Sequence, residues 1–333
     1  MRYRLALFLL ALIAPLACAK QKDAAELDVV RIAVHSRIAG SALYIADEEG
    51  FFRDEGIRLE FVETTRSSQA LPVLDAGDID AIIGSASVGL YSALAKGTRV
   101  RIVADRAWLD PNGCAVSAIM GRHDAFPNDS PTASQLRGKR FSISPATTVA
   151  YIMDEYLKSV GLTESDISVV KLSEGVEAQA LETGALDGMH VSEPYLSRMR
   201  GLGHRVLAVT SRLAPGAHTS VLLYGPSMLN RPELAQRFMS AYLRGSRRYS
   251  EGSTPRNIEI ISKRLGYDTT MLRNICLPKT KTDGELNLDW LLSFQEWAVE
   301  KGHLDKVVGR EAGVDLSFAR RASAKLDAEG VKR

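Results

Sequence analysis

The sequence predicts an α/β protein of two homologous βαβ lobes that meet at a hinge and enclose a ligand cleft. Three observations carry this expectation. The chain repeats itself: displaced by 107 residues, Tyr44-Ile45-x-Asp47-Glu48 falls on Tyr151-Ile152-x-Asp154-Glu155. The same displacement carries Leu74-Asp75-x-Gly77-x-Ile79-Asp80 onto Leu181-Glu182-x-Gly184-x-Leu186-Asp187. That period is too long for a solenoid and fits two units, each large enough for its own core. Each unit also reads β-α-β-α-β, which implies a parallel sheet with right-handed crossovers. Finally, two later β-type runs are placed to cross between the units, and two crossings make a hinge.

In the first unit, Val30–Val34 is a short β-branched strand followed by a polar, glycine-containing loop. Ala42–Phe52 reads as a helix, and Ile57–Val62 alternates at period two, as a strand does. Ser67–Ala76 suits a helix closed by Gly77, and Asp80–Gly84 is the third strand. The copy runs through Lys139–Ile143, Val149–Val160, Ile167–Leu172, Val176–Thr183 and Asp187–Val191. Val100–Ala107 is a further strand. Cys114–Met120 is expected to cross to the second lobe and His218–Tyr224 to return. From Met228 onward the pattern is helical, over Pro232–Glu251, Thr254–Leu265, Thr269–Asn274, Asp289–Lys301 and Leu316–Glu329. These helices are expected to brace the outside of the first lobe. The division is then residues 28–113 plus 216–333 for the first lobe and 114–215 for the second.

The basic start Met1–Arg4, the apolar run Leu5–Leu16 and Ala17-Cys18-Ala19 form a signal peptide over residues 1–18, too short to span a bilayer comfortably. Two cleavage readings stand open. Ala17-x-Ala19 suits ordinary signal peptidase; Cys18 resembles a lipidated lipobox cysteine, from which Pro15 and Leu16 depart. No other segment is expected to span a membrane. Loss of residues 1–17 removes two of the 42 basic residues and none of the 40 acidic ones, leaving no net charge. An exported, neutral chain lacks the concentrated basic face of a nucleic-acid binder. Cys114 and Cys276 would be free to bridge in an oxidising compartment, although two separately buried thiols is the plainer reading. No spacing suggests a metal site, a cofactor or a nucleophile.

The run Leu43–Phe52 with Gly56-Ile-x-Leu-Glu-Phe61, the segment Leu74–Asp80 followed by Gly84-Ser85, and Glu193-Pro194-Tyr195 resemble the bacterial periplasmic solute-binding proteins of the nitrate, sulfonate, taurine and thiamine-precursor group. The resemblance covers residues 29–225 and the C-terminal helices in outline. Many members have Trp where Tyr195 stands. The cysteine-rich motif of the thiamine-precursor branch and of the related pyrimidine synthase is missing, and nitrate-type members are usually longer. The resemblance implies a type II periplasmic-binding-protein fold, a small-molecule ligand held between the lobes, and delivery to an ABC permease. No catalysis is required. A monomer is expected.

In parallel sheets ligands lie beyond the carboxyl ends of the strands. That selects the loops Ser36–Ser41, Ser85–Ser87, Ser144–Thr148 and Ser192–Tyr195. Ser144, Thr147 and Thr148 either cap the following helix or leave backbone N–H groups for an anion. Gly40 and Ser41 offer the same N-terminus in the first lobe, where Arg37 either grips an anionic head or is simply solvated. Ser85 and Ser87 leave room for a ligand or permit a tight turn. Glu193 would accept from an ammonium or amide, or anchor a contact between lobes. Trp108 and Tyr195 are aromatic walls or packing residues, and Glu174 is placed at the second-lobe mouth by position alone. His190 reads as a buried or edge histidine. The leading function is an extracytoplasmic receptor for a small polar or anionic solute. A ligand-sensing adaptor, or an enzyme on the same fold such as a chorismate-derived menaquinone-pathway lyase, stands beside it.

Overall fold

The computed structural model describes residues 27–35, 37–64, 67–172 and 176–331. In the first lobe the chain runs through β1 (Asp28–Val34), α1 (Ser41–Glu48), α2 (Phe51–Asp54), β2 (Ile57–Glu63), α3 (Ser67–Ala76), β3 (Ala81–Gly84), α4 (Val88–Ala95) and β4 (Arg101–Trp108). The helix expected over Ala42–Phe52 is two helices. Gly50 adopts φ 79° between them, a left-handed conformation open to glycine and strained for other residues.

The second lobe contains β5 (Ser117–Gly121), α5 (Ala133–Leu136), β6 (Arg140–Ser142), α6 (Thr148–Ser159), β7 (Ser168–Val170), α7 (Glu177–Glu182), β8 (Gly188–Ser192), α8 (Tyr195–Gly201), β9 (Arg205–Val209) and α9 (Thr210–Leu213). β10 (His218–Tyr224) returns to the first lobe. After it come α10 (Pro226–Leu229), α11 (Pro232–Ser250), α12 (Pro255–Leu265), α13 (Thr269–Asn274), α14 (Leu288–Glu300) and α15 (Ser317–Ala328).

The two sheets have orders β2-β1-β3-β10-β4 and β7-β6-β8-β5-β9. The orders correspond strand for strand, so the repeat read in the sequence is a repeat of topology. The sheets are mixed rather than parallel. β10 and β5, the crossing strands, each lie antiparallel between a third and a fourth strand. A shift of 107 carries Ala81 onto Gly188, yet their partners Ile32 and Phe141 differ by 109. The loop before α1 therefore holds two residues more than its copy before α6, and Arg37 lies in that longer loop.

The repeated aspartates have a structural role. Asp80 accepts from the Arg31 backbone N–H at 2.8 Å and from Arg231 Nη2 at 2.7 Å. Asp187 accepts from the Arg140 N–H at 2.9 Å, from Arg140 Nε at 3.0 Å and from Arg122 Nη2 at 3.1 Å. Each buried carboxylate thus ties the first and third strands of its sheet together. Burial alone would raise the Asp187 pKa. The side-chain and backbone bonds from Arg140, with Arg122, overcome that and hold it far below the usual carboxylate range.

Cys114 and Cys276 form a disulfide, with Cα atoms 5.8 Å apart, rather than two separately buried thiols. It joins the first crossing segment to the loop after α13. The C-terminal helices do more than brace one lobe. α14 carries buried residues on a broad face (Trp290, Leu291, Phe294, Gln295, Trp297 and Ala298) and packs between α4 of the first lobe and α6 of the second. Among the described residues no helix is long and apolar enough to cross a membrane.

Candidate functional site

The site is built around a residue that the sequence did not single out. On β4, Asp105 pairs with Val221 and Ala107 with Ser220, so Arg106 has no opposite number on β10. Such a bulge re-aims a side chain, and bulges collect beside functional sites. The Arg106 side chain passes beneath the start of α1. A Cβ placed on Gly40 would sit 2.9 Å from Arg106 Nη2 and 3.4 Å from the Tyr44 ring, so only glycine lets the guanidinium lie there. Arg106 is 7% exposed, and its Nε and Nη2 are buried without a hydrogen-bond partner among the described residues. Burial brings its pKa down to about 10. Its largest favourable interactions are with the hydroxyls of Tyr242, Tyr44 and Tyr249, while Arg37 opposes it.

A buried cation with no carboxylate partner, set against the positive end of a helix, is an unfavourable arrangement in isolation. It becomes favourable when an anion enters. His35 follows β1 directly, and burial, then Arg37 and Arg106, lower its pKa. Arg37 caps the 3₁₀ turn Ile38–Gly40 that runs into α1, with its Nε 3.3 Å from the His35 ring nitrogens. Desolvation lowers the Arg37 pKa. Tyr267, Glu177 and Tyr195 favour its charged form, and two of these belong to the other lobe. Charged and phenolic groups of both lobes thus bear on Arg37.

On the second lobe, Tyr195 opens α8 and is 48% exposed. His190 lies on β8, where burial and the charge of Arg37 push its pKa to about 4, leaving a neutral imidazole. Thr147 caps α6, accepting from Ala150 N–H at 3.3 Å and donating to the Ser144 carbonyl at 2.7 Å. Ser144 itself is exposed, whereas Thr148 is buried with its Oγ1 unpartnered among the described residues. Ala146 in the same loop has φ 60°, a left-handed conformation held against its preference.

Other expected site residues have structural partners. Ser41 Oγ donates to the Ile38 carbonyl at 2.6 Å, and Ser87 caps α4. Ser85 is half-buried beyond β3. Glu193 is turned into α8, accepting from Ser197 N–H at 3.1 Å and Ser197 Oγ at 2.8 Å. Trp108 ends β4 with Lys281 Nζ 3.4 Å from its ring centroid, and both line a cavity of about 240 Å³ with Gly216, Glu285, Leu286 and Asn287. Glu174 and Cys18 lie outside the described residues.

Asp105 and His218 are a buried pair 2.7 Å apart and look like two-thirds of a hydrolytic triad. However, His218 Nε2 accepts from the Asn287 backbone N–H at 2.6 Å, and Asp105 also accepts from Lys281 N–H at 2.7 Å. With the imidazole lone pair occupied, the pair braces the β4–β10 seam. Among the described residues no cluster of three or more His, Cys, Asp or Glu is arranged to hold a metal ion.

The sequence profile described as NMT1/THI5 like matches residues 39–251. The chain belongs to the NMT1/THI5-like family. A candidate aliphatic sulfonates-binding protein of Bacillus subtilis (strain 168) is 27% identical over 179 residues, which is 53% of this chain and 51% of that protein. The match thus spans about half the length of that curated relative. Two solved structures share the fold. The alkanesulfonate-binding protein SsuA of Xanthomonas axonopodis pv. citri, bound to MOPS, has a TM-score of 0.69 at 19% identity, covering 88% of this chain and 99% of that one. The periplasmic nitrate-binding protein NrtA of Synechocystis PCC 6803 has a TM-score of 0.74 at 14% identity, covering 92% and 91%. The two-lobed fold of this family member is that of periplasmic binding proteins.

Proposed function

We propose that the protein is an extracytoplasmic receptor that captures a small organic or inorganic oxyanion between its lobes and delivers it to an ABC permease. The observation that carries this is Arg106, a buried guanidinium beneath the N-terminus of α1 with no carboxylate to balance it among the described residues. The anionic head sits against Arg106 and the backbone at Gly40. Arg37, His190 and Tyr195 close over it from the two sides of the mouth, with Thr147 and Thr148 at the second helix N-terminus. The sulfonate and nitrate binders among the similar proteins support the anion class, and the two-lobed form supports capture by hinge closure. The signal peptide read at residues 1–18 supports export to the periplasm. The receptor itself carries out no chemistry.

The test is a binding titration of the purified protein with MOPS, ethanesulfonate, taurine, nitrate and uncharged sulfone or amide analogues. The oxyanions are expected to bind, with affinity falling as ionic strength rises. Equal binding of the uncharged analogues would overturn the reading.

A further inference from the structure

Helix α14 belongs to the first lobe by its anchors and touches the second lobe by its face. At its start, the Asn287 N–H is held by His218 on β10, and the Trp108 N–H on β4 donates to the Lys279 carbonyl at 3.1 Å. From within the helix, Gln295 Oε1 accepts from the N–H groups of Val308 and Gly309 in the segment that follows it. The chain then rejoins β4, where the Ile102 N–H donates to Gly313 at 2.7 Å and the Asp315 N–H to Ile102 at 2.9 Å. A helix whose flanking segments are both pinned to β4 and β10 of the first sheet moves with that sheet.

Its outward stripe meets α6. The Tyr151 ring stands edge-on to Trp290 and Trp297, with centroids 6.2 and 5.6 Å away, and Tyr91 of α4 lies 6.1 Å from Phe294. Below the rings, Asp154 accepts from Trp297 Nε1 at 3.1 Å and from Lys301 Nζ at 2.6 Å. Lys158, one turn along α6, also reaches Asp154 at 2.9 Å. Burial alone would raise the Asp154 pKa; Lys301 and Lys158 more than offset this and hold it low. Parting a buried ion pair ordinarily strands a charge and is costly. Here Lys158 on the same helix keeps Asp154 paired when Lys301 departs. The contact between the lobes can therefore break and re-form. It also lies within two turns of the cleft loop, since Thr147 and Thr148 begin the helix that carries Tyr151 and Asp154.

The geometry points to α14 as a strut between the lobes, with the Asp154–Trp297–Lys301 contact setting how far the second lobe stands from the first; these three are positioning residues for solute capture. The last step rests on the receptor reading, whereas the strut does not. Opening the cleft slides α6 along α14 and releases Lys301, and closure restores the contact.

All three tryptophans of the chain, Trp108, Trp290 and Trp297, lie on the strut or at its base, so native fluorescence reports on it. The experiment compares solution X-ray scattering and tryptophan emission for the ligand-free wild type, Lys301→Met, Trp297→Phe and Lys301→Arg. Lys301 is partly exposed and Lys301→Met keeps the apolar stem, so the helix core is preserved; far-UV circular dichroism and a thermal midpoint check this. Lys301→Met and Trp297→Phe are expected to give a larger radius of gyration, while Lys301→Arg matches the wild type. With MOPS as the probe, the first two should bind about tenfold more weakly, through faster release. Superimposable scattering for all four proteins would overturn the strut. Altered scattering with no MOPS binding by the wild type would leave the strut standing and count against the receptor reading.

Discussion

Replacing Arg106 by methionine should yield a protein that is more stable and no longer binds. Burial holds its pKa at about 10, well below that of a free guanidinium, so the folded state disfavours the charge by on the order of 3 kcal/mol. Methionine fills much of the same space without the charge, so most of that penalty is recoverable in the ligand-free protein. At roughly 2 °C per kcal/mol for a chain of this size, the midpoint should rise by up to about 6 °C. Binding goes the other way. Two charge-assisted hydrogen bonds at about 1.5–3 kcal/mol each correspond to at least a hundredfold loss of oxyanion affinity. The assays are differential scanning calorimetry of the ligand-free protein and a calorimetric titration with MOPS or nitrate. A variant destabilised by about 2 kcal/mol or more that still binds would refute the reasoning, because Arg106 would then be a structural residue.

Glu193→Ala should lower stability by about 1 kcal/mol through loss of its two hydrogen bonds from Ser197 in the first turn of α8, while changing affinity little; a large affinity loss would return Glu193 to the cleft. Asp187→Asn should cost about 3 kcal/mol in urea unfolding, because it leaves Arg140 and Arg122 without their shared partner. Since the native Asp187 pKa lies below the free value of about 3.9, its stabilisation is complete above that pH and is lost as pH falls toward the native value. The Asp187→Asn variant should accordingly show a flatter acid limb, and an unchanged limb would assign acid unfolding to other groups. The disulfide closes a loop of sequence separation 162, for which the chain-entropy account gives about 5 kcal/mol. The Cys114→Ala/Cys276→Ala double variant should lose a large part of that in denaturant titration. A loss under about 1 kcal/mol would show that the unfolded chain is already constrained there.

Local physics decided what the sequence could reveal. Ser67–Ala76 closes at Gly77, and the Asp80 and Asp187 repeats mark strands whose carboxylates hold the sheet, so periodicity and turn chemistry gave those elements directly. The loops at the helix N-termini were legible because those termini follow from strand-to-helix order. Arg106 was not, because its direction depends on a bulge, and a bulge is a relation between β4 and β10, over a hundred residues apart. The available signal was a second arginine, beside Asp105, toward the end of the strand-like run Val100–Ala107, where Ile102, Val103 and Ala104 promise burial. Glu193 and Trp108 each have a plausible ligand chemistry in the sequence, and the folded chain gives each a partner, Ser197 or Lys281, whose proximity no local pattern indicates. α14 reads as an ordinary amphipathic helix; that its broad apolar face serves two lobes is tertiary information.

The interleaving of the sheets bears on how the protein is made. β10 is an interior strand of the first sheet, between β3 and the edge strand β4, but leaves the ribosome only after the whole second lobe. Until residue 224 has been synthesised, the first sheet has a gap between β3 and β4, whose facing edges stay open. Such long-range pairing closes slowly. For the exported receptor proposed above, this delay is useful: a polypeptide must remain unfolded to be threaded through a membrane pore, and this one cannot complete its first sheet early.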